Sequence, residues 1–353
     1  MRYIRIEDSK NGDILARPIV TSDGIVLLSE GTVLSSSYID KIISTGIKKI
    51  FIKDNLYSQT SVDIEDFSQL KDKSINLVSN IYNKVINSET IDSEEIETVV
   101  VDILNYVKSS TAFPSKLLET IKLKDNYTYI HSINTCFLSI ILGEYFNLSE
   151  TEQIILGTGA LLHDIGKTYI DEKILKKASK LTDDEFKLIQ KHTLYGFKIL
   201  NSTKGIDHAS MLIALNHHEK YDGSGYPRGL KGKQIDFFSQ LVTICDVYDA
   251  LINVRSYKKA FKPNETYEYI LSKSGTFFNT ELVNAFRNCI CIYPDGVGVR
   301  LSDGRLAFVL HQNKGFPERP VINIITDNTG NFTSPTTVDL MNSLNIVIDD
   351  ILI

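Results

Sequence analysis

Between about Phe113 and Cys291 the apolar residues recur almost throughout at helical spacing, and that stretch commits the largest part of the chain to packed helices. Two capping boxes punctuate it. Ser149-x-x-Glu152 and Thr182-x-x-Glu185 each open a segment with apolar residues on one face. Residues 219–235 break the pattern with glycines, a proline and charges, and they read as a loop; helix resumes through Gln240–Leu251 and again after Pro263. A bundle of this kind buries its apolar faces, so every charge carried inside it needs a partner.

The flanks have a different texture. A chain of 353 residues exceeds the usual single domain, and four regions are expected: 1–57, 58–115, 116–292 and 293–353. The first is a small α/β module. Ile19-Val20 and Ile25–Leu28 flank a Thr-Ser-Asp-Gly turn, Ser35–Ser37 cap a short helix to about Ser44, and Lys48–Ile52 is a strand. Residues 58–115 are polar, with Leu70, Ile75, Leu77, Ile81 and Ile86 near helical spacing, and they read as linking helices. After Tyr293-Pro294, the runs Val297–Leu301, Leu306–Leu310 and Pro320–Thr326 give a small β module of barrel or meander type. The fold class is therefore mainly α, with a central all-helical domain between an α/β and a β module. Packing or formation of a homodimer is the default role for the last.

Charge and cysteine usage narrow the function. A formal net charge of −6 argues against a partner that is a nucleic-acid polymer, since binding one takes a broad excess of Lys and Arg. An anionic small molecule stays open if metals and a few basic residues meet its charge locally. No run approaches a membrane span, and the N-terminus has no apolar signal core, so no membrane partner and a cytoplasmic location are expected. Cys136, Cys245, Cys289 and Cys291 show no paired framework and read as reduced structural residues.

Six of the seven histidines fall between residues 131 and 218. His163-Asp164 closes an apolar helix; neighbouring helical side chains project about 100° apart, so both can reach one cluster. His217-His218 is a second adjacent pair, followed at once by Glu219 and a glycine-rich loop. Asp246 lies on an otherwise apolar helix, where a carboxylate needs a partner such as a metal, and His131 and His192 sit on helices with apolar neighbours. Either pair alone is compatible with a capping or salt-bridge role. Together, in this order, they make a histidine-rich set with two carboxylates, suited to iron, manganese or zinc rather than magnesium or calcium. Two ions about 3.5–4 Å apart, sharing a carboxylate and a water-derived hydroxide, are the standard arrangement for phosphoester hydrolysis.

From about Asp125 to Val283 the chain resembles the HD-GYP family of HD metal-dependent phosphohydrolases. The residues that carry the likeness are Tyr127–Ser132, His163-Asp164-Ile165-Gly166-Lys167, His192-Thr193-Leu194-Tyr195-Gly196, His217-His218-Glu219 with Asp222–Pro227, Asp246 with Asp249-Ala250-Leu251, and Arg255-Ser256-Tyr257-Lys258. The Gly225-Tyr226-Pro227 loop distinguishes this subgroup. The resemblance implies an HD-type helical domain that hydrolyses cyclic di-GMP to pGpG, and in some members on to GMP, through a hydroxide bridging two metals. It places metal ligands at His131, His163, Asp164, His192, His217, His218 and Asp246. It places substrate contacts at Lys167, Tyr226, Arg255 and Lys258, with Asp164 and Lys167 as the catalytic pair. Tyr127 stands where some members carry a glutamate for a third metal, so two divalent ions, iron or manganese, are expected.

Two departures stand out. Thr193 replaces the usual proline, and Gly275-Thr276-Phe277-Phe278-Asn279-Thr280 is a reduced form of Gly-x-x-Phe-Asp-Pro, which is expected to weaken a helix cap or a supporting contact. The alternatives are a non-catalytic cyclic di-GMP receptor and an HD phosphohydrolase for another cyclic dinucleotide or nucleotide. The complete ligand set favours catalysis.

Overall fold

The computed structural model describes residues 2–16, 19–20, 26–29, 31–45, 47, 49–53, 64–109, 127–177, 179–252 and 261–352. The chain forms two compact units: Met1–Val62 with Tyr293–Asn313 and Arg319–Ile353, and Asp63–Ile292 with Lys314–Glu318.

In the first unit, β1 (Arg2–Arg5) pairs antiparallel with β4 (Lys49–Ile52), and β2 (Ile19–Val20) with β3 (Val26–Leu28). The turn expected between β2 and β3 lies outside the described residues. Helix α1 (Ser36–Ser44) starts where Ser35 Oγ accepts from the Tyr38 amide. Ile6, Leu15, Leu34, Ile42, Ile50 and Ile52 form the small core beneath these elements. The C-terminal part of the unit is a five-stranded sheet in the order β8-β7-β6-β5-β9. Its strands are β5 (Gly298–Leu301), β6 (Leu306–His311), β7 (Val321–Thr326), β8 (Phe332–Asp339) and β9 (Ile348–Leu352). Four strands meander and the fifth returns beside the first, all antiparallel. The mainly α class with a β-rich C-terminal module is thus borne out. The two outer strands carry no apolar run: residues 333–337 are exposed on both faces, and Pro335 is tolerated because an edge strand can forgo a ladder donor.

The second unit holds α2 (Ile64–Ile86), α3 (Ser93–Ser109), α4 (Tyr127–Tyr145), α5 (Glu150–Leu162), α6 (Glu172–Leu175), α7 (Asp183–Gln190), α8 (His192–Ser202), α9 (His208–Asn216), α10 (Phe237–Ile252), α11 (Pro263–Ser272) and α12 (Thr280–Cys289). Both capping boxes form, at the starts of α5 and α7, and Pro263 occupies the first turn of α11. Helix α4 packs against α5 and α10, while α8 packs against α9 and a short 3-10 turn, Ile165–Tyr169. Buried hydroxyls tie these elements together: Ser210 Oγ donates to the Ile155 carbonyl at 2.7 Å and Thr243 Oγ1 to that of His217 at 2.9 Å. Helix α2 belongs to this packing too, with Tyr82 Oη and Ser132 Oγ of α4 hydrogen-bonded at 3.2 Å. No helix among the described residues is long and apolar enough to cross a membrane.

The weakened cap expected before α12 is not seen. Asn279 accepts from the Glu281 amide at 3.0 Å, and its side-chain nitrogen donates to Gln240 Oε1 at 3.1 Å, a second bond that an ionised aspartate could not make.

Gly166 lets the 3-10 turn meet the start of α8. A Cβ there would overlap the His192 carbonyl and the Gly196 amide, backbone groups that cannot rotate away. Gly166→Ala should therefore destabilise the protein by about 1–3 kcal/mol, the usual range for an overpacked core, and displace His192. Chemical denaturation measures it, and an unchanged midpoint would mean that the turn is not held against α8.

Candidate metal centre

The sequence expected His163-Asp164 to project from a helix. Helix α5 instead ends at Leu162, His163 caps it, and Asp164 has left helical geometry (φ −98°, ψ 3°) where the 3-10 turn begins. His217 likewise caps α9, while His131 and Asp246 sit within α4 and α10, and His192 opens α8. The termini bring the paired residues in; the long helices supply the single ones.

All seven expected ligands converge. Asp164 Oδ1 lies 3.4 Å from His192 Nε2 and 3.8 Å from His217 Nε2, whereas its Oδ2 lies 3.4 Å from His163 Nε2 and 3.9 Å from His131 Nε2. Its two oxygens thus face two different histidine sets. Asp246 spans the same gap on another side, with Oδ1 at 3.0 Å from His131 Nε2 and Oδ2 at 3.9 Å from His218 Nδ1. Three overlapping groups could each hold a metal ion: Asp164 with His192, His217 and His218; His131 and His163 with Asp164; His163 and His217 with Asp246.

The histidine tautomers follow from their other nitrogens. His163 Nδ1 donates to the Ala160 carbonyl at 2.7 Å, His192 Nδ1 to that of Ile189 at 2.6 Å, and His217 Nδ1 to that of Ala214 at 3.1 Å. With the proton on Nδ1, a neutral imidazole presents a bare lone pair at Nε2. His192 Nε2 and His217 Nε2 then meet lone pair to lone pair at 3.3 Å, and His163 Nε2 and Asp164 Oδ1 are fully buried with no hydrogen bond. Converging acceptors of this kind leave a place suited to positive charge. The donor set fits divalent metal.

Burial sets the protonation. It holds His192 down to about 4 and His218 to about 3, and it pushes His217 well below the usual range, with neighbouring His218 adding to it. Burial also opposes charge on His131, but hydrogen bonds to Asp246 and Asp249 outweigh it and raise that imidazole to about 9. Asp164 resists the same desolvation because Lys167, His163 and His192 surround it, and its carboxyl stays well below the ordinary range.

Several of these supports were not anticipated. Asp249 accepts from His131 Nδ1 at 2.7 Å and from Asn134 Nδ2 at 2.9 Å. Its place three residues after Asp246, on the same helical face, was the available signal. Lys71 of α2 is buried, and desolvation lowers its ammonium to about 8 against the pull of Asp249. Glu219, also buried, accepts from the Arg228 and Leu230 amides at 2.7 and 3.0 Å and so closes the loop behind His218. In that loop a Cβ on Gly225 would collide with the backbone of residues 218–220, so its close approach is to the loop's own chain rather than to a ligand. Lys167 pairs with Asp164 Oδ2 and is partly exposed. Tyr226 lies against His218, with centroids 4.8 Å apart, and burial followed by Asp246 and Asp164 raises its hydroxyl. Arg255 and Lys258 lie outside the described residues. Of the remaining histidines, His208 opens α9 and His311 ends β6, both outside this cluster.

Known proteins resemble the chain over this region. Residues 136–282 match the HD domain family, and residues 298–353 match the KOW domain associated with HD domain. A cyclic di-GMP phosphodiesterase of Pseudomonas aeruginosa is 37% identical over 215 residues, 60% of this chain and 52% of that protein. A 3′3′-cGAMP-specific phosphodiesterase of Vibrio cholerae is 34% identical over 168 residues, 47% of this chain and 32% of that one. The chain thus spans about half or less of the length of these relatives. Among solved structures, an HDG"Y"P protein from Bdellovibrio bacteriovorus superposes with a TM-score of 0.52 at 16% identity, covering 81% of this chain and 97% of that one, a likeness of fold. Residues 136–282 are thus an HD domain, similar in sequence to those of cyclic dinucleotide phosphodiesterases.

Two outcomes follow. His192, His217 and His218 have folded pKa values below the unfolded value of about 6.5. Their neutral forms stabilise the fold above that pH, and the contribution is lost as pH falls through the folded values. Chelator-treated protein should therefore lose thermal stability between about pH 6.5 and 4, and a flat profile there would contradict the burial argument. Replacing Asp249 by Asn should weaken metal binding by about 10- to 100-fold, the usual effect of disturbing a ligand's outer hydrogen bond, as read by competition with a chromogenic chelator.

Proposed function

We propose that the chain is a metal-dependent phosphodiesterase that opens cyclic di-GMP to pGpG, with two divalent ions, iron or manganese, held by His131, His163, Asp164, His192, His217, His218 and Asp246. One observation carries the reading. The bare Nε2 lone pairs of His163, His192 and His217 face Asp164, whose two oxygens address separate histidine sets. That is the donor arrangement for a pair of cations sharing one carboxylate. The cyclic dinucleotide phosphodiesterases among the relatives support the substrate class.

Bound divalent cations would supply Lewis acidity to the phosphoryl oxygens and make water a competent nucleophile near neutral pH. The chain's own residues do the remainder. Carbonyls at the ends of α5 and α9 and before α8, with Asp249 on α10, hold the histidines in the required tautomers. Lys167, between Asp164 and solvent, is placed to give its ammonium to a non-bridging phosphate oxygen. Tyr226 covers His218 and walls the pocket on that side. Arg255 and Lys258 are proposed as further phosphate contacts on their motif alone.

The test is hydrolysis of cyclic di-GMP by protein purified without oxygen, with metal measured on the same sample. Turnover with about two ions per chain is expected, and Asp164→Ala should abolish turnover and reduce bound metal together. A fully metallated protein that binds cyclic di-GMP without cleaving it would make the chain a receptor. Retained hydrolysis in Asp164→Ala would remove the shared carboxylate from the account.

A further inference from the structure

In the helical unit, four of the large apolar side chains left exposed fall between residues 169 and 194: Tyr169, Phe186, Leu188 and Leu194. Two of them are aromatic, and each has a second ring behind it. Tyr169 meets Tyr195 with ring centroids 5.7 Å apart, and Phe186 meets Tyr226 at 6.1 Å. Both pairs are anchored to the metal-centre residues. Tyr169 ends the 3-10 turn that carries Lys167, and Tyr195 stands one helical turn beyond His192 on α8. Tyr226 lies against His218, and Phe186 is on α7, the helix that leads into His192. One pair is therefore linked through the chain to the turn that carries Lys167, and the other is in ring contact with His218 through Tyr226.

Both rings are exposed and so are available for a planar group to stack on. Two aromatic pairs, each tied to a residue of the same centre, fit a ligand with two planar bases. We propose that Tyr169, backed by Tyr195, and Phe186, backed by Tyr226, are the two nucleobase platforms of the substrate site. This rests on the phosphodiesterase reading above and adds to it where the bases lie. Stacking takes any base with a π face, so the platforms set the demand for two bases without choosing guanine over adenine.

The experiment is steady-state kinetics of the full chain with cyclic di-GMP and with 3′3′-cGAMP, for wild type, Tyr169→Ala, Phe186→Ala and the ring-preserving Tyr169→Phe and Phe186→Tyr. Both residues are well exposed (57% and 47%), so the alanine variants should fold and keep their metal content. Each alanine variant should raise KM by about 5- to 100-fold, the range for one lost base–aromatic stack, and by more than it lowers kcat. The ring-preserving variants should return KM to near the wild-type value, and both substrates should lose alike. Unchanged KM in the alanine variants would overturn the platforms while leaving the phosphodiesterase reading intact. If the wild type cleaves neither substrate, that reading fails, and equilibrium binding of cyclic di-GMP decides the platforms separately. Weaker binding in the alanine variants then supports them; equal binding, or none to the wild type, overturns them.

Discussion

The buried carboxylate of Asp164 is the constraint around which the helical unit is arranged. An ionised group with almost no solvent contact is costly unless opposite charge and directed hydrogen bonds surround it. Here one oxygen faces His163, His131 and Lys167, and the other faces His192 and His217. The imidazoles are themselves held with their protons turned outward, towards the carbonyls of residues 160, 189 and 214. Backbone at helix ends is well suited to this task, because the last carbonyls of a helix have no partner within it. The same junctions that stop the helices therefore fix the tautomers, and the position of each helix end becomes part of the chemistry.

Around that centre the fold layers its supports outward. Asp249 and Asn134 hold His131, and Lys71 and Tyr82 of α2 back the same side, so the segment before the central domain contributes to the environment of the metal cluster. On the opposite side, the loop carrying Tyr226 is closed by Glu219 and laced to the segment before α12: the Tyr221 and Asp222 amides donate to the carbonyls of Phe277 and Thr276 at 3.0 and 2.8 Å. The Gly-Thr-Phe-Phe-Asn-Thr segment thus supports this loop through its backbone carbonyls. The exposed Tyr169 and Phe186, proposed above as base platforms, stand on this frame.

Much of this was legible in the sequence because helical periodicity reports which face is buried, and capping boxes report where a helix begins. The seven residues that converge here could be named from their types and order, since charges on apolar helices demand partners. What periodicity does not report is who the partner is. Asp249 could be placed on the Asp246 face but not assigned to His131, whose residue number differs by 118. Lys167 could be read as a phosphate contact, but its pairing with Asp164 depends on the chain leaving helical geometry after Leu162, which an apolar pattern cannot show. The two outer strands of the C-terminal sheet escaped because an exposed edge strand such as Phe332–Asp339 needs no alternation. The small residue at Gly166 was visible only as a motif letter; its reason, the backbone of α8 against it, is purely spatial.

The most direct test of the central claim is anomalous diffraction at the iron and manganese edges from crystals grown without oxygen. Two peaks are expected inside the cage. One should lie beside His131, His163 and Asp246, the other beside His192, His217 and His218, with Asp164 within bonding distance of both. A single peak, or peaks that Asp164 does not touch, would contradict it.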